Sequence, residues 1–409
     1  MISVAILGHG VVGSGVAEVL RENAAHITEK AGDALVVKRI LDLRSFPDLP
    51  YADLFTTDFN DILNDADIRI VVETMGGLHP AYDFVKSCLL SGKSVVTSNK
   101  ELVAAKGDEL LAVAKEKNVN FLFEASVGGG IPILRPLAQC LAGNEIEEVS
   151  GILNGTTNFM LTRMVQDGMD FESALKLAQD LGYAERNPSA DVDGHDACRK
   201  ICILAALAYG KHVYPEQVYT EGISAITPAD VQYAEAMGRV IKLIGTVKKQ
   251  GDRILCSVSP MLVPETDLLA QVNDVFNAVK VRGNAVGDVM FYGKGAGKLP
   301  TASAVVGDVI DAAQHLSERK PLGWDAGDDD YVLDHSQNEC AFMLRFEPQE
   351  DEDSLLHALD AAFGEVDIIG CGGRDPRELA VLTDPISEQK LSEGLATIAV
   401  QPISRLRLL

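Results

Sequence analysis

The sequence predicts an α/β protein in which a parallel, doubly wound sheet is followed by an α+β region. Apolar, strand-like segments alternate with helical segments through about the first 130 residues. Such alternation is typical of a parallel sheet with helices on both faces. The strand-like segments are 3–7, 36–41, 68–73, 94–97 and 120–124, and the helical segments include 14–20, 82–91 and 106–117. A chain of 409 residues is long enough for two or three domains.

The first strand and helix are joined by a glycine-rich turn, Gly8-His9-Gly10-Val11-Val12-Gly13. In a dinucleotide-binding (Rossmann) unit, the first glycine permits the tight turn and the second lets a pyrophosphate approach the backbone. The third glycine lets the helix and strand pack closely. Gly8, Gly10 and Gly13 therefore predict that a dinucleotide binds at the start of this helix.

The end of the second strand bears on the choice of cofactor. Asp42 follows this strand and Arg44 lies two residues further on. A carboxylate at this position binds the ribose hydroxyls of NAD, whereas an arginine favours the additional phosphate of NADP. Because both are present, the sequence predicts NAD or NADP, and we expect a modest preference for NAD.

A later helix carries paired charges at the start of an otherwise apolar segment. Asp196 and Lys200 are four residues apart, so they share one side of a helix that continues as ICILAALAY at 201–209. Burial lowers the pKa of a lysine and a nearby carboxylate raises it, so such a group can exchange a proton near neutral pH. The alternative interpretation is a capped core helix with an ordinary ion pair. Upstream, Asn154 and residues 156–158 predict a polar turn that caps the next helix.

Six segments in order resemble the homoserine dehydrogenase family. They are GHGVVGSGV at 8–16, TSNKELVA at 97–104, EASVGGGIPI at 124–133, GILNGTTNFML at 151–161, LGYAERNPSADVDGHDACRK at 181–200 and YGKGAGKLPTASAVVGD at 292–308. Together they cover roughly residues 1–320. The GILNGTTN and DVDGHDACRK segments are far more specific than the glycine turn.

This resemblance implies the reversible oxidation of L-homoserine to L-aspartate 4-semialdehyde with NAD or NADP. It implies that Lys200 transfers the proton at the substrate oxygen and that Lys100 lies near both nicotinamide and substrate. It also implies that Glu185 and Asp196 hold the substrate's amino end and that Asp191, a further substrate-binding residue, lies nearby. The residue types agree with this chemistry, because the ammonium of a zwitterionic substrate needs carboxylates and its hydroxyl needs a base.

The resemblance also implies further ligand contacts. The implied cofactor positions are Val11, Val12, Thr97, Lys100, Gly182, Glu185 and Gly297. A sodium ion is implied at Glu124 and the carbonyls of Val127, Gly129 and Ile131. Oxygen ligands of this kind suit a hard cation.

Two other functions are consistent with parts of the sequence. One is a different Rossmann oxidoreductase that acts on a related amino-acid aldehyde or hydroxyl, and the Glu185, Asp196 and Lys200 set argues against it. The other is a non-catalytic amino-acid sensor in which the C-terminal segment is the working part. An assay of homoserine with each nicotinamide cofactor distinguishes these functions from the dehydrogenase.

The predicted domains are a nucleotide domain at 1–132, a substrate and dimerisation domain at 133–298 and a C-terminal domain at 335–409. A helix near 301–316 is expected to complete the nucleotide domain, and the Gly- and Asp-rich residues 321–330 are expected to form a linker. In the substrate domain, the helix bearing Lys200 is expected to lie on a largely antiparallel sheet. Its strand candidates are 149–154, 242–248, 254–262 and 284–293, the last after a helix at 268–276.

The C-terminal domain has the element order βαββαβ and resembles the ACT regulatory domain. Such domains usually carry an Asp-x-Pro-Gly-like turn after the first strand, where an amino acid docks. The corresponding residues in this chain are the acidic 347–353, EPQEDED, which lack the glycine and would repel a ligand carboxylate. This departure argues against feedback by threonine, while fold analogy alone leaves a regulatory domain and a purely structural or dimer-forming domain as equal alternatives.

Charge and composition exclude several classes of partner. The formal net charge is -24, from 36 basic and 60 acidic residues, which argues against binding to nucleic acid or anionic membranes. No apolar segment approaches the roughly 18 residues of a membrane span. Seven cysteines without a close Cys-x-x-Cys pair suggest a reducing, cytoplasmic environment. We therefore expect a cytoplasmic homodimer or homotetramer that acts on a small-molecule substrate.

Overall fold

The computed structural model describes residues 1–347, 352–372 and 378–409. The chain forms two compact units. The first unit consists of Met1–Glu147, Cys202–Pro215 and Val281–Asp329, and the second consists of Glu148–Ile201, Glu216–Lys280 and Asp330–Leu409. Within the described residues, no helix is both long enough and apolar enough to span a membrane.

Strands and helices of the described residues follow one another along the whole chain. The strands are β1 (Ile2–Leu7), β2 (Leu35–Leu41), β3 (Phe55–Thr56), β4 (Ile68–Glu73), β5 (Ser94–Thr97), β6 (Phe121–Leu122), β7 (Ile146–Ile152), β8 (Tyr219–Thr220), β9 (Arg239–Gln250), β10 (Arg253–Pro264), β11 (Phe276–Gly283), β12 (Gly287–Lys294), β13 (Glu339–Cys340), β14 (Phe342–Phe346), β15 (Asp367–Ile368), β16 (Leu379–Leu382), β17 (Ile386–Ser387) and β18 (Ser404–Leu408). The helices are α1 (Val11–Glu22), α2 (Ala24–Ala31), α3 (Asn60–Leu63), α4 (Ala81–Leu90), α5 (Lys100–Lys117), α6 (Gly155–Asp167), α7 (Phe171–Asp180), α8 (Ser189–Val192), α9 (His195–Tyr209), α10 (Pro228–Ala236), α11 (Lys298–Gln314), α12 (Glu352–Phe363) and α13 (Glu388–Thr397).

A six-stranded parallel sheet lies at the centre of the first unit, in the order β3-β2-β1-β4-β5-β6. The order reverses between β1 and β4, which confirms the predicted doubly wound sheet. Helix α11 packs closely on α1. A Cβ atom at Gly15 would lie 2.9 Å from the Lys298 carbonyl oxygen and 3.1 Å from Ala302 Cβ. The core beneath these helices is built from apolar residues such as Val4, Ile6 and Val305, all fully buried.

The sheet of the second unit has the order β11-β7-β9-β10-β18-β14-β16-β15, with β8 beside β10. Strands β7, β9 and β10 pair antiparallel, whereas β10 pairs in parallel with β8 and β18. A Cβ atom at Gly245 of β9 would lie 3.3 Å from Ile201 Cβ, so the start of α9 lies directly on this strand. The largely antiparallel sheet and the position of the Lys200 helix on it are therefore as predicted.

The C-terminal segment, residues 335–409, contributes the elements β14, α12, β15, β16, α13 and β18 in that order. Its four main strands pair antiparallel in the order β18-β14-β16-β15. Helices α12 and α13 cover them through buried residues that include Leu355, Leu359 and Leu391. Residues 348–351 of the predicted acidic turn at 347–353 lie outside the described residues.

The predicted helix at 268–276 is wrong. The structure has a 3-10 turn at Leu268–Gln271, and β11 begins at Phe276. The side-chain amide of Asn158 donates hydrogen bonds to the carbonyls of Val272, Asp274 and Phe276, at 3.0 to 3.1 Å. Because these carbonyls accept hydrogen bonds from a side chain more than 100 residues away in sequence, they do not form the backbone hydrogen bonds of a helix, and the turn does not continue as one. The strand predicted at 284–293 is Gly287–Lys294.

The predicted linker at 321–330 contains a tightly packed residue. Trp324 is 8% exposed, and its indole N–H donates to His212 Nδ1 at 2.8 Å. The indole also makes an edge contact with Phe123 at a centroid distance of 5.4 Å. Because one aromatic side chain anchors the segment, it is part of the first unit rather than a simple spacer.

Candidate active site

The glycine turn has the geometry that its sequence predicts. Gly8 has φ +92°, and a Cβ atom at Gly13 would lie 1.9 Å from the Gly8 carbonyl oxygen. Both positions therefore require glycine. Gly10 precedes α1 and has no neighbouring atom within 4 Å of a hypothetical Cβ. The backbone N–H groups at the start of α1 are thus open to an anion such as a pyrophosphate.

Asp42 and Arg44 form one side of a cavity of about 530 Å³ whose lining includes Gly8, Gly10 and Thr74. The Asp42 side chain is 8% exposed and accepts a hydrogen bond from the His9 N–H at 2.8 Å. The Arg44 guanidinium bonds both carboxylate oxygens of Asp42, at 2.9 and 3.0 Å, and holds the pKa of that carboxyl well below its usual range. The two predicted cofactor residues are therefore joined in one ion pair.

His9 was not singled out in the sequence, although it lies inside the glycine turn. Its ring contacts Phe46, Tyr51 and Phe55 at centroid distances of 4.8 to 5.8 Å. Burial lowers the pKa of His9, so the neutral imidazole is favoured beside the Asp42–Arg44 pair. The sequence does contain a signal for this contact: a histidine within the glycine turn is followed some 40 residues later by three aromatic residues.

Thr97 supports the start of the helix that carries Lys100. Thr97 is fully buried, and its hydroxyl donates to Glu73 at 2.5 Å and accepts from the Asn99 N–H at 2.9 Å. Asn99 then caps α5 by accepting from the Leu102 N–H. Lys100 is the first residue of α5 and is half-buried. Glu73 was not predicted, and burial raises the pKa of its carboxyl.

Two predicted loops of the first unit lie against each other. Gly129 has φ +55°, and a Cβ atom there would lie 2.3 Å from the Gly295 carbonyl oxygen. The Gly130 N–H donates to the Lys294 carbonyl at 3.1 Å. Gly297, with φ +128°, precedes α11. The structure therefore brings the loop predicted to hold sodium next to the glycine loop predicted to touch the cofactor.

The carboxylate of Glu124 is buried and holds this region together. It accepts hydrogen bonds from the backbone N–H groups of Ile133, Leu134 and Arg135 at 2.6 to 2.8 Å. The Glu124 N–H in turn donates to Asp308, which is also ion-paired with Arg135. Among the described turns and loops, no backbone N–H donates to the carbonyls of Val127, Gly129 or Ile131. Carbonyl and carboxylate oxygens are the donor types that a hard cation accepts.

In the second unit, Lys200 and Asp196 form the buried pair that their spacing predicts. Lys200 is 7% exposed and Asp196 is 4% exposed. The Lys200 ammonium donates to Asp196 Oδ2 at 2.7 Å and to the Leu153 carbonyl at 2.6 Å. Since Leu153 lies just before α6, these bonds attach the first turn of α9 to the start of a second helix.

Asn154 connects the predicted substrate carboxylates. It caps α6 as predicted, because its Oδ1 accepts from the Thr157 N–H at 2.8 Å. Its amide nitrogen donates to Asp191 Oδ1 at 2.7 Å and to Asp196 Oδ2 at 2.8 Å, which the sequence did not predict. One buried amide thereby fixes two carboxylates, one of which also accepts from Lys200.

Two further predicted residues lie on an exposed turn. Gly182 has φ +75° and follows α7, and Glu185 is exposed at 181–188. Gln179 donates to the main-chain carbonyl of Glu185 at 3.1 Å. Within the described residues, the Glu185 carboxylate is not part of the hydrogen-bonded set around Asn154.

A dinucleotide-binding turn and a buried lysine with two carboxylates are the features expected of a nicotinamide-dependent oxidoreductase. Residues 8–124 match the family model for the NAD binding domain of homoserine dehydrogenase, and residues 132–310 match the family model for homoserine dehydrogenase. The chain therefore belongs to the homoserine dehydrogenase family. It is an oxidoreductase that interconverts L-homoserine and L-aspartate 4-semialdehyde in amino-acid biosynthesis.

Similar proteins agree with this assignment, and two of them match nearly the full chain. Homoserine dehydrogenase of Pseudomonas aeruginosa is 38% identical over 97% of this chain and 95% of its own, and that of Bacillus subtilis is 43% identical over 77% and 73%. The crystal structure of the Thiobacillus denitrificans enzyme has a TM-score of 0.90 at 38% identity, covering 100% of this chain and 98% of its own. A hyperthermophilic archaeal homoserine dehydrogenase in complex with NADPH has a TM-score of 0.65 at 30% identity, covering 76% and 97%.

Proposed function

We propose that Lys200 is the proton-transfer group of the homoserine dehydrogenase reaction and that Asp191 and Asp196 bind the substrate ammonium. The observation that carries this assignment is the set of bonds made by the Asn154 amide and the Lys200 ammonium. They fix two carboxylates and one amine in a single buried group. A substrate with an ammonium and a hydroxyl needs both kinds of charge.

When bound, NAD or NADP would accept the hydride from homoserine in the oxidation and would donate it to the aldehyde in the reduction. In the oxidation, the neutral amine of Lys200 accepts the hydroxyl proton while a hydride leaves the terminal carbon of homoserine. In the reduction, the Lys200 ammonium returns that proton to the aldehyde oxygen. Asp196 stabilises the ammonium form between these steps, because it accepts a hydrogen bond from Lys200.

In the first unit, the proposed cofactor contacts follow the open start of α1. Gly8, Gly10, Val11, Val12 and Gly13 would receive the pyrophosphate, and Asp42 with Arg44 would face the adenosine ribose. Five further residues are proposed contacts of the cofactor: Thr97, Lys100, Gly182, Glu185 and Gly297. Glu185 is also a proposed substrate residue.

The affinity of the Gly10→Val variant for the cofactor tests the pyrophosphate assignment. The open space at Gly10 accepts a side chain without unfolding the turn, so a loss of affinity would come from blocking the pyrophosphate.

Both cofactors are expected to support turnover, with a modest preference for NAD. Asp42 repels a 2′-phosphate, but Arg44 is bonded to it and can turn its exposed guanidinium, 63% accessible, toward that phosphate. The NADPH complex of the archaeal relative supports use of the phosphorylated cofactor. Comparing kcat/KM for NAD and NADP with homoserine measures the preference and also tests the activity. We expect a ratio below about a hundredfold, or about 2.7 kcal/mol.

Arg44→Ala sharpens this cofactor experiment. It should lower kcat/KM with NADP by about tenfold, the worth of one exposed arginine–phosphate contact of about 1.4 kcal/mol, and leave NAD nearly unchanged. An equal loss with both cofactors would mean that Arg44 supports the turn rather than the phosphate. A wild-type preference for NADP beyond a hundredfold would contradict the role given to Asp42.

We also propose that Glu124 and the carbonyls of Val127, Gly129 and Ile131 hold a sodium ion. Two features support this proposal. The oxygen atoms of the loop are of the type that binds a hard cation, and three backbone N–H groups hold the Glu124 carboxylate in place. Activity is measured in sodium chloride and in tetramethylammonium chloride at equal ionic strength. Equal activity in both salts after exhaustive exchange would exclude a required sodium ion.

For the remaining organisation, we propose a nucleotide domain at 1–132 completed by α11, a substrate domain at 133–298 and an ACT-like domain at 335–409. The antiparallel strand order β18-β14-β16-β15, with both helices packed on these strands, supports the ACT-like domain.

Because the acidic residues at 347–353 replace the expected docking turn, threonine at millimolar concentration should not inhibit the full-length enzyme. Inhibition in a threonine titration would contradict this.

From the resemblance to the family, we propose that the chain forms a homodimer or a homotetramer. Sedimentation equilibrium distinguishes these two masses from that of a single 43.8 kDa chain. The seven cysteines are thiols outside disulfides, and four of them are buried, which supports a cytoplasmic location. Localisation of a tagged chain in its host tests that proposal.

A further inference from the structure

The C-terminal segment is joined to the substrate part of the second unit by a fully buried arginine. Arg407 of β18 is 1% exposed and lies opposite Met261 of β10 in the parallel strand pair. Its guanidinium donates to Glu388 at the start of α13, to Glu221 at 2.5 Å and to the Tyr219 hydroxyl at 3.2 Å. A buried arginine is tolerated only when its charge is paired and its N–H groups are bonded. Glu388 and Glu221, one from each side of the junction, supply that pairing.

Aromatic stacking completes this set of residues. The ring of His335 stacks on Tyr219 at a centroid distance of 3.7 Å with an interplanar angle of 2°, and its Nε2 bonds Glu388 at 3.1 Å. The Arg407 guanidinium lies 5.0 Å from the centre of the Tyr219 ring. Burial opposes ionisation of Glu388, but the bonds from His335 and Arg407 outweigh it and lower the pKa to about 2. The Arg407 cluster (Arg407, Glu388, His335, Tyr219 and Glu221) is therefore a fixed, charged contact.

The two members of the cluster from the substrate part lie on a short segment that supports the substrate carboxylates. Glu221 donates its N–H to the Val258 carbonyl, and the Ile223 N–H donates to the Val192 carbonyl at 2.9 Å. Between them, a Cβ atom at Gly222 would lie 2.2 Å from the Val192 carbonyl oxygen and 2.6 Å from Asp193 Cα. Residues 219–223 and 192–194 are thus in direct backbone contact.

On the other side of this contact, residues 192–194 separate Asp191 from the helix that carries Asp196 and Lys200. Gly194 has φ +84°, and a Cβ atom there would lie 3.0 Å from Thr220 Cγ2. The Gly194 carbonyl accepts the Cys198 N–H and so belongs to the first turn of α9. A shift of residues 219–223 would therefore move the backbone between the two carboxylates that Asn154 bridges. A misplacement of about 1 Å can cost on the order of a hundredfold in rate.

We propose that Glu221, Tyr219 and Arg407 are positioning residues for the homoserine site, through which the C-terminal segment sets the affinity for homoserine. The proposal rests on the assignment of Asp191 and Asp196 to the substrate ammonium. It predicts an effect on homoserine binding without an effect on the cofactor, since the glycine turn belongs to the other unit.

A second buried arginine of the C-terminal segment provides a matched control. Arg345 of β14 is 6% exposed and bonds Asp230 at 3.0 Å, Glu378 at 2.7 Å and the Thr227 hydroxyl at 3.0 Å. Like Arg407, it joins the C-terminal segment to the substrate part. It reaches the start of α10 and not residues 219–223. Loss of this second contact therefore perturbs attachment of the segment without acting on the backbone beside Val192.

The test compares Glu221→Gln with Asp230→Asn in the full-length enzyme, because Glu221 and Asp230 are the carboxylates of the substrate part that bond Arg407 and Arg345. Each variant removes one carboxylate charge from a buried arginine, and melting temperature reports how far each destabilises the chain. Glu221→Gln should raise the KM for homoserine at least about tenfold and leave the KM for the cofactor within about twofold. Asp230→Asn should leave both KM values within about twofold, even if its melting temperature falls as far as that of Glu221→Gln. Tyr219→Phe, which keeps the stacked ring and removes the bridging hydroxyl, should shift the homoserine KM in the same direction by a smaller factor.

An unchanged homoserine KM in Glu221→Gln overturns the proposal. An equal rise of the homoserine KM in Glu221→Gln and Asp230→Asn also overturns it, because the effect would then come from general attachment of the segment. Asp196→Asn is measured in parallel. If that variant keeps wild-type kcat/KM, the substrate assignment itself is wrong, which separates the failure of the assignment from the failure of the positioning role.

Discussion

Lys200→Ala is expected to lower kcat by about 10²–10⁴, the usual worth of a positioned acid–base group. The amine is held at a defined place by its bonds to Asp196 and to the Leu153 carbonyl, and its burial keeps bulk water from substituting for it. Cofactor affinity should be retained, because the glycine turn and the Asp42–Arg44 pair lie in the other unit. Steady-state kinetics in both directions, together with fluorescence titration of the reduced cofactor, measure the two effects.

Two companion variants separate proton transfer from packing. Lys200→Met keeps most of the apolar stem and should lose as much activity as the alanine variant. Lys200→Arg should rescue little, because a guanidinium stays protonated at any working pH. If Lys200→Ala keeps more than about a tenth of wild-type kcat, an effect below about 1.4 kcal/mol, another group transfers the proton. Lys100→Ala is then the next variant to measure.

Asn154→Asp should lower kcat/KM for homoserine by about 10²–10³. The substitution keeps the shape of the side chain and the oxygen that caps α6, since aspartate caps helices as well as asparagine does. It replaces the amide donor that faces Asp191 and Asp196 with a third negative charge. Two hydrogen bonds to charged groups are lost, each contributing about 1.5–3 kcal/mol, and like-charge repulsion is added.

The capping and donor roles of Asn154 are separated by Asn154→Ser. Serine retains the cap and adds no charge but also lacks the amide donor, so we expect a loss of about a hundredfold, smaller than in the aspartate variant, and a melting temperature close to that of the aspartate variant. Relative to wild type, the aspartate variant should recover activity as the pH falls, because protonation of the introduced carboxyl removes the repulsion and restores one donor. An aspartate variant with kcat/KM within threefold of wild type would show that the amide does not organise the substrate carboxylates.

Local spacing was enough to predict several parts of the candidate site. The turn at Gly8, Gly10 and Gly13 follows from steric rules that act within six residues, and the Asp196–Lys200 contact follows from the period of the helix. The parallel sheet of the first unit follows from strand and helix alternation. The reaction itself came from the resemblance of longer segments to the family, since the glycine turn alone is common to many oxidoreductases.

Local spacing gave wrong predictions where a side chain distant in sequence fixes the backbone conformation. Apolar residues at 268–276 suggested a helix, but Asn158 and Lys242 bind the carbonyl of Val272, and Asn158 also binds those of Asp274 and Phe276. The Lys242 ammonium is 3% exposed, and burial lowers its pKa to about 8. Similarly, residues 321–330 have a linker-like composition, yet Trp324 and His212 fix them across 112 residues of sequence.

By itself, the sequence determined the cofactor turn, the helix that presents Lys200 and the family to which the chain belongs. The tertiary structure alone decided that Asn154 bridges Asp191 and Asp196, across 37 and 42 residues, and that Arg407 reaches Glu221, across 186. The physical reason is the distance along the chain over which each interaction acts. Helix period and turn sterics act over a few residues, whereas these contacts depend on strand register, such as Met261 opposite Arg407, which is set when distant segments bury their apolar faces together.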